Sequence, residues 1–201
     1  KKLNIKKGEL FAIAGGPPCQ PFSTSGKGRA LLDERGNAMI SFVKAILHFQ
    51  PKYFILENVR GIFYKSSKKG EPKGSDLYRI ISLFDDSPYK LNFSLYDTSL
   101  YGVPQKRERF ILIGSLESQV PLMPPTGESK NLKDAIYDLK DRKDLEHLSY
   151  SKERLKYFEM LKAGENWKNL PLKFQKEAMK GSFELGGGKT GFFRKLSWDK
   201  P

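Results

Sequence analysis

The apolar run Leu10-Phe11-Ala12-Ile13-Ala14 stops at Gly15-Gly16-Pro17-Pro18, and the only cysteine of the chain, Cys19, follows at once in Cys19-Gln20-Pro21-Phe22-Ser23. A short apolar run closed by glycine and proline reads as a buried strand that delivers the next side chain to the rim of a sheet. In open α/β folds that rim is where ligands gather. The two prolines fix the backbone ahead of Cys19, and the two glycines admit close approach of another molecule. A lone cysteine is commonly a small buried hydrophobe. These flanks point instead to a positioned nucleophile.

The next segments extend this start into an α/β unit. From Asn37 to Phe49 apolar residues recur at helical spacing up to Pro51, with Asn37 as the expected N-cap. Tyr53 to Leu56 reads as a second buried strand running into Glu57-Asn58-Val59. Strand, helix and strand form a right-handed parallel crossover, which sets Cys19 and Glu57 at one sheet edge. Lys65 to Gly74 reads as a loop, and its Lys65, Lys68, Lys69 and Lys73 are either solvated or in contact with phosphate. A helix is expected over 75–84 and strands over 89–97 and 109–114, with Gly102-Val103-Pro104 turning between the strands. Val120-Pro121-Leu122-Met123-Pro124-Pro125 reads as a linker, which places a domain boundary near 120 and divides the chain into 1–120 and 121–201. The second part shows helical patterns at 132–139 and 151–163. Gly186-Gly187-Gly188-Lys189-Thr190 lacks the earlier glycine and preceding strand of a phosphate loop and reads as a turn.

Charge and cysteine count narrow the partners and setting. Thirty-six Lys and Arg against twenty-three Asp and Glu give a net charge of +13, which favours an anionic partner such as nucleic acid. A lysine-rich protein with no such partner would carry the same excess. One cysteine forbids an internal disulfide, and no signal-peptide pattern is present, so a reducing, cytoplasmic setting is expected. No apolar run reaches membrane-span length, and the two histidines and Cys19 lack metal-ligand spacing, so neither membrane nor metal is expected.

Three elements occur in order: Pro18-Cys19-Gln20, Glu57-Asn58-Val59 and Gln105-Lys106-Arg107-Glu108-Arg109. Together they strongly resemble the cytosine carbon-5 DNA methyltransferases, whose Pro-Cys-Gln, Glu-Asn-Val and Gln-x-Arg-x-Arg motifs stand at similar separations. The resemblance covers about Glu9 to Gly114. It implies a partial Rossmann-like, S-adenosylmethionine-dependent methyltransferase sheet with flanking helices, followed by the start of a target recognition region. It also implies double-stranded DNA as substrate in a restriction-modification setting.

The resemblance assigns roles residue by residue. Cytosine carbon 5 is too weak a nucleophile to take a methyl group unaided, so Cys19 would first add to ring carbon 6. Arg107 and Arg109 would favour its thiolate. Glu57, in its acid form, would meet ring nitrogen 3, and Arg109 would meet the carbonyl oxygen, stabilising charge that spreads into the ring. A dry pocket would favour that acid form. Asn58 would support the loop carrying the cysteine. The target base must leave the duplex to be reached. Ser23, Ser25, Lys27 and Arg29 resemble the loop that closes on DNA, and Gln20 and Gln105 are further candidate DNA contacts. Trp167, Lys168, Arg194 and Trp198 are weaker candidates, with core packing the expected role of the tryptophans.

For the donor, Pro18, Asn37 and Ala38 resemble the part of the S-adenosylmethionine site that meets the methionine end. Nothing before Leu10 resembles the family's glycine-rich turn, and Phe193 to Pro201 resembles a stretch that precedes the last family motifs. The expectation is a fragment or subunit, with a second chain as the candidate to complete the cofactor site. Two alternatives stay open on sequence: an RNA-directed relative acting on transfer RNA, and a catalytically silent DNA-binding remnant.

Overall fold

The computed structural model describes residues 4–18, 36–64, 66, 70–146, 149–184 and 191–201, with backbone alone at 36 and 37. These fall into two compact units, 1–101 with 106–127, and 102–105 with 128–201.

Unit 1 is a four-stranded mixed sheet with helices. Its elements in chain order are β1 (Ala12–Gly15), α1 (Gly36–Phe49), β2 (Tyr53–Val59), α2 (Ser75–Ser82), β3 (Lys90–Asp97) and β4 (Glu108–Ser115). The strand order is β1-β2-β4-β3, with β1 parallel to β2 and the other pairs antiparallel. The expected parallel strand-helix-strand unit is therefore present. Alternation along β2 sends Phe54, Leu56 and Asn58 to one face, where all three are buried. On that face Phe110 and Leu112 of β4 join Met39, Val43 and Ile46 of α1 and Leu77 and Ile80 of α2 in one core.

Phe54 anchors this core. Its ring stacks on Phe84 at 5.0 Å and meets Tyr89 edge-on at 5.0 Å. Gly114, directly across the ladder, leaves it room, since a Cβ there would lie 2.0 Å from the ring. The buried Tyr89 hydroxyl donates to Pro51 O at 2.6 Å. Segment 120–127 runs beside β3, held by Asn92 Nδ2 donating to Val120 O at 3.0 Å and Tyr101 OH donating to Met123 O at 3.0 Å.

Two expectations need correction here. β1 and β2 were expected to be buried strands, but each is open on one face. Phe11 is 71 % exposed and Ile55 43 %, and β1 alternates exposed and half-buried residues. Among the described residues α1 and α2 cover a single face, and β1 is an edge strand, so the other face keeps solvent contact. Asn37 is not an N-cap. The helix already includes Gly36, which puts Asn37 in its first turn.

Unit 2 is built of short helices: α3 (Leu132–Ile136), α4 (Lys152–Glu159), α5 (Leu172–Met179) and α6 (Gly181–Glu184). Asn131 and Asp134 form a capping box at the start of α3, and Ser151 caps α4. Tyr157, Leu161, Trp167, Leu170, Met179 and Phe193 make a second, smaller core. Trp167 is thus a core residue, whereas Trp198 is 37 % exposed and meets Tyr137 edge-on at 5.3 Å. Among the described residues no helix is long and apolar enough to cross a membrane, and no group of His, Cys, Asp and Glu is placed to hold a metal.

Candidate active site

The ladder explains how two distant motifs meet. Glu57 lies opposite Ile111, and Val59 opposite Arg109, in the antiparallel β2–β4 pair. Residues two apart on a strand share a face, so Glu57 and Arg109 are diagonal neighbours, within reach of long side chains. Arg109 Nε donates to Glu57 Oε1 at 2.7 Å, with the side chains 21 % and 43 % exposed. Arg109 Nη1 also donates to the carbonyl of Glu108 at 2.8 Å, which fixes the guanidinium from a second side. Glu108 itself pairs with Arg60.

β1 brings the cysteine motif to the same place. Gly15 registers with Leu56, so Gly16 runs on beside Glu57. A Cβ on Gly16 would lie 2.8 Å from Glu57 Oε2, and one on Gly15 would lie 2.4 Å from the Phe42 ring. These glycines therefore accommodate the protein's own side chains, a correction to the expectation that they admit another molecule. Asn58, 1 % exposed, then locks the segment: its Nδ2 donates to Pro17 O at 3.2 Å while its Oδ1 accepts from Val59 N–H at 2.9 Å. Both ends of the amide are used, so its orientation follows from the hydrogen bonds. Pro18, the residue before Cys19, is exposed.

The remaining candidates divide cleanly. Cys19, Gln20, Ser23, Ser25, Lys27 and Arg29 lie outside the described residues, as do Lys65, Lys68, Lys69 and the Gly186–Thr190 turn. The side chain of Asn37 is also outside them, and Ala38 is half-buried at the start of α1. Arg107 and Gln105 are exposed. The ion pair to Glu57 is made by Arg109, inside β4, whereas Arg107 lies just ahead of that strand. Gly16 is the position whose role the sequence reading missed. Its signal was a glycine one residue beyond the strand that pairs with Leu56, where any side chain would press on the next residue, Glu57.

The sequence matches the family described as C-5 cytosine-specific DNA methylase over residues 1–197. It is 36 % identical over 205 aligned positions to the type II methyltransferase M.PspPI of Psychrobacter sp. (strain TA137), covering 96 % of this chain and 48 % of that protein. It is 37 % identical to the type II methyltransferase M.Eco47II of Escherichia coli, covering 94 % of this chain and 46 % of the other. The structure resembles the Entamoeba histolytica methyltransferase EhMeth with a TM-score of 0.56 at 17 % identity, covering 79 % of this chain and 51 % of that one, a likeness of fold alone. The chain spans about half the length of the curated relatives it matches. With the family match reaching nearly from end to end, the chain belongs to the C-5 cytosine-specific DNA methylase family.

Proposed function

We propose that this chain carries the covalent half of a DNA cytosine carbon-5 methyltransferase, in the manner of the type II methyltransferases it resembles. One observation supports the reading above the rest: the 2.7 Å pair between Arg109 and Glu57, set against Gly16 in the strand end that leads into Cys19. A carboxyl and a guanidinium there suit a ring that gains negative charge on attack.

The thiolate of Cys19 adds to carbon 6 of a cytosine turned out of the duplex, and the carbon 5–carbon 6 electron pair moves toward nitrogen 3. Glu57 supplies a proton or hydrogen bond at nitrogen 3. The N–H groups of Arg109 not committed to Glu57 and Glu108 face the charge that reaches the ring oxygen. Carbon 5, now enamine-like, would take the methyl group as that group's bond to the donor sulfur breaks, and would then give its proton to water as the Cys19 sulfur leaves and the carbon 5–carbon 6 double bond re-forms. Glu57 is 43 % exposed in the free chain, open to a base that enters beside it. Asn58 positions the cysteine segment through Pro17.

S-adenosylmethionine, the methyl donor implied by the family, supplies an electrophilic methyl group. The residues present fit it as one wall. Pro18 is exposed and Ala38 is half-buried in the first turn of α1, whereas the Gly15 and Gly16 cradle is filled by Phe42 and Glu57. Unit 2 is the start of the region that reads the target sequence in double-stranded DNA.

The test follows the sulfur. Exchange of the cytosine carbon-5 hydrogen with solvent needs addition at carbon 6 but no donor. It should occur on duplex DNA with the wild-type chain and fall about a thousandfold or more in Cys19→Ser. Exchange at wild-type rate in Cys19→Ser would remove the cysteine from the mechanism, and exchange on transfer RNA in place of duplex DNA would redirect the substrate.

A further inference from the structure

Unit 2 has three arginines, and they are treated differently. Arg142 is neutralised by Asp144. Arg154 and Arg194 have no carboxylate partner among the described residues, and both line a single cleft of about 270 Å³ with Tyr150, Phe158, Phe192 and Phe193. Among the described residues no acidic side chain lines it. The clefts beside Glu71 and beside Glu184 each include a carboxylate in their walls.

The cleft is built from the second core outward. The Arg154 guanidinium lies 5.6 Å from the centre of the Phe193 ring and 5.9 Å from that of Tyr150. Aromatic bracing holds the cation without using its N–H fork, which stays free for a bidentate anion. Phe193 has a φ of +44°, a conformation costly to any residue with a side chain. Packing sustains it: the Phe193 ring is 9 % exposed and lies 5.3 Å from Tyr157 and 5.4 Å from Phe158. Its neighbours are open to solvent, Arg194 being exposed and Phe192 53 % exposed. A cation and a ring on either side of Phe193 thus line the same cleft.

We propose that this cleft grips the backbone of duplex DNA, with Arg154 and Arg194 each taking a phosphate and Phe192 lying against the adjoining sugar or base. The proposal rests on DNA being the substrate and assigns a place where unit 2 holds it. Charge complementarity selects the occupant, because two unpaired guanidinium groups beside an exposed ring match a phosphodiester flanked by an apolar surface.

The experiment is binding of a fluorescent DNA duplex to the full 201-residue chain across a salt series. Arg154→Ala and Arg194→Ala should each weaken binding roughly tenfold and reduce the salt slope by about one. Arg154→Lys and Arg194→Lys should keep the slope and still bind less tightly, since the bidentate geometry is lost. Phe192→Ala should weaken binding at unchanged slope. Lys173→Ala, an exposed charge outside the cleft, should match wild type. Wild-type affinity and slope in both alanine variants would overturn the cleft while leaving the Cys19 chemistry intact. Failure of the wild-type chain to bind duplex in preference to heparin would overturn both readings.

Discussion

The two units place their functional side chains by different means. In unit 1 the ladder does the placing: the register Glu57↔Ile111 and Val59↔Arg109 makes the two residues diagonal neighbours on one face, within reach of each other's side chains. In unit 2 side-chain packing does it, since Arg154 is aimed by the rings of Tyr150 and Phe193, and Phe192 by a strained neighbour. Backbone ladders fix positions to a fraction of an ångström and suit bond-making chemistry. A packed aromatic cluster holds direction but yields more easily, which suits a surface that has to follow a long, variable ligand.

The largest effect expected from this difference lies under the ladder. Phe54→Ala removes a fully buried ring stacked between Phe84 and Tyr89 and should cost about 3–5 kcal/mol. Gly114→Ala attacks the same contact from the other side. Its Cβ would sit 2.0 Å from the Phe54 ring, which has nowhere to go, so a loss of several kcal/mol is expected there too. Denaturant midpoints together with hydrogen exchange along β2 and β4 would check both. If Gly114→Ala kept wild-type stability, the placement of Phe54 across from it would be wrong.

A smaller effect is expected at the joint between the ladder and the cysteine segment. Asn58→Ala leaves the carbonyl of the buried Pro17 without its donor and Val59 N–H without its acceptor, a loss of about 1–3 kcal/mol. Because Asn58 touches no reacting atom, its activity loss should appear as a slower covalent step at unchanged duplex affinity. Weakened duplex binding with an unchanged covalent step would show instead that Asn58 serves substrate binding.

How much of this was legible in the sequence follows the same division. Periodicity names the elements, so β2, α1, α2, β3 and β4 stand close to their expected places, although β2 continues past the expected end at Leu56 to Val59 and holds Glu57 inside the ladder. Periodicity cannot name neighbours. The order β1-β2-β4-β3, the one-sided cover of the sheet and the Glu57–Arg109 contact depend on pairings between residues far apart in the chain, such as Ala12↔Tyr53 and Tyr53↔Ser115, which no local pattern encodes. Helix α5 was missed because it is only two turns long and rich in Lys, Gln and Glu, although Pro171 just ahead of it is a recognisable start signal. The cleft of unit 2 was the least legible part. Arg194 was singled out, but Tyr150, Arg154 and Phe192 gain meaning only when the small core folds them together.

Next in size is a pH effect confined to the core of unit 1. Burial pushes the Tyr89 phenol up to about 12, and its hydroxyl donates to Pro51 O. In the unfolded chain the same phenol ionises near 10. The folded state therefore holds its proton more tightly, and the stability this contributes is whole below pH 10 and lost as pH rises toward 12. Over that window unfolding free energy should fall with an extra slope of about 1.4 kcal/mol per pH unit. Tyr89→Phe should remove that slope while lowering stability at neutral pH through the lost hydrogen bond. An alkaline slope identical in wild type and Tyr89→Phe would mean that this phenol is not shielded.

The smallest stability effect separates geometry from folding altogether. Gly16→Ala puts a methyl group 2.8 Å from Glu57 Oε2, as tight a conflict as many that unfold a core, yet the obstructing atom is the end of a flexible, partly exposed side chain. Glu57 can swing aside at little cost, and the gain from restricting a glycine in the unfolded chain offsets part of what is lost, so stability should change by less than about 1 kcal/mol. The carboxylate that swings aside leaves its 2.7 Å contact with Arg109 and the position from which it would meet ring nitrogen 3. Carbon-5 exchange should then fall by about a hundredfold, the scale of a misplaced acid, while the melting temperature and duplex affinity stay near wild type. Gly114→Ala, by contrast, has to lose both stability and activity, because its obstacle is a ring held on every side. Equal behaviour of the two substitutions, in either direction, would mean that strand register does not govern where Glu57 stands.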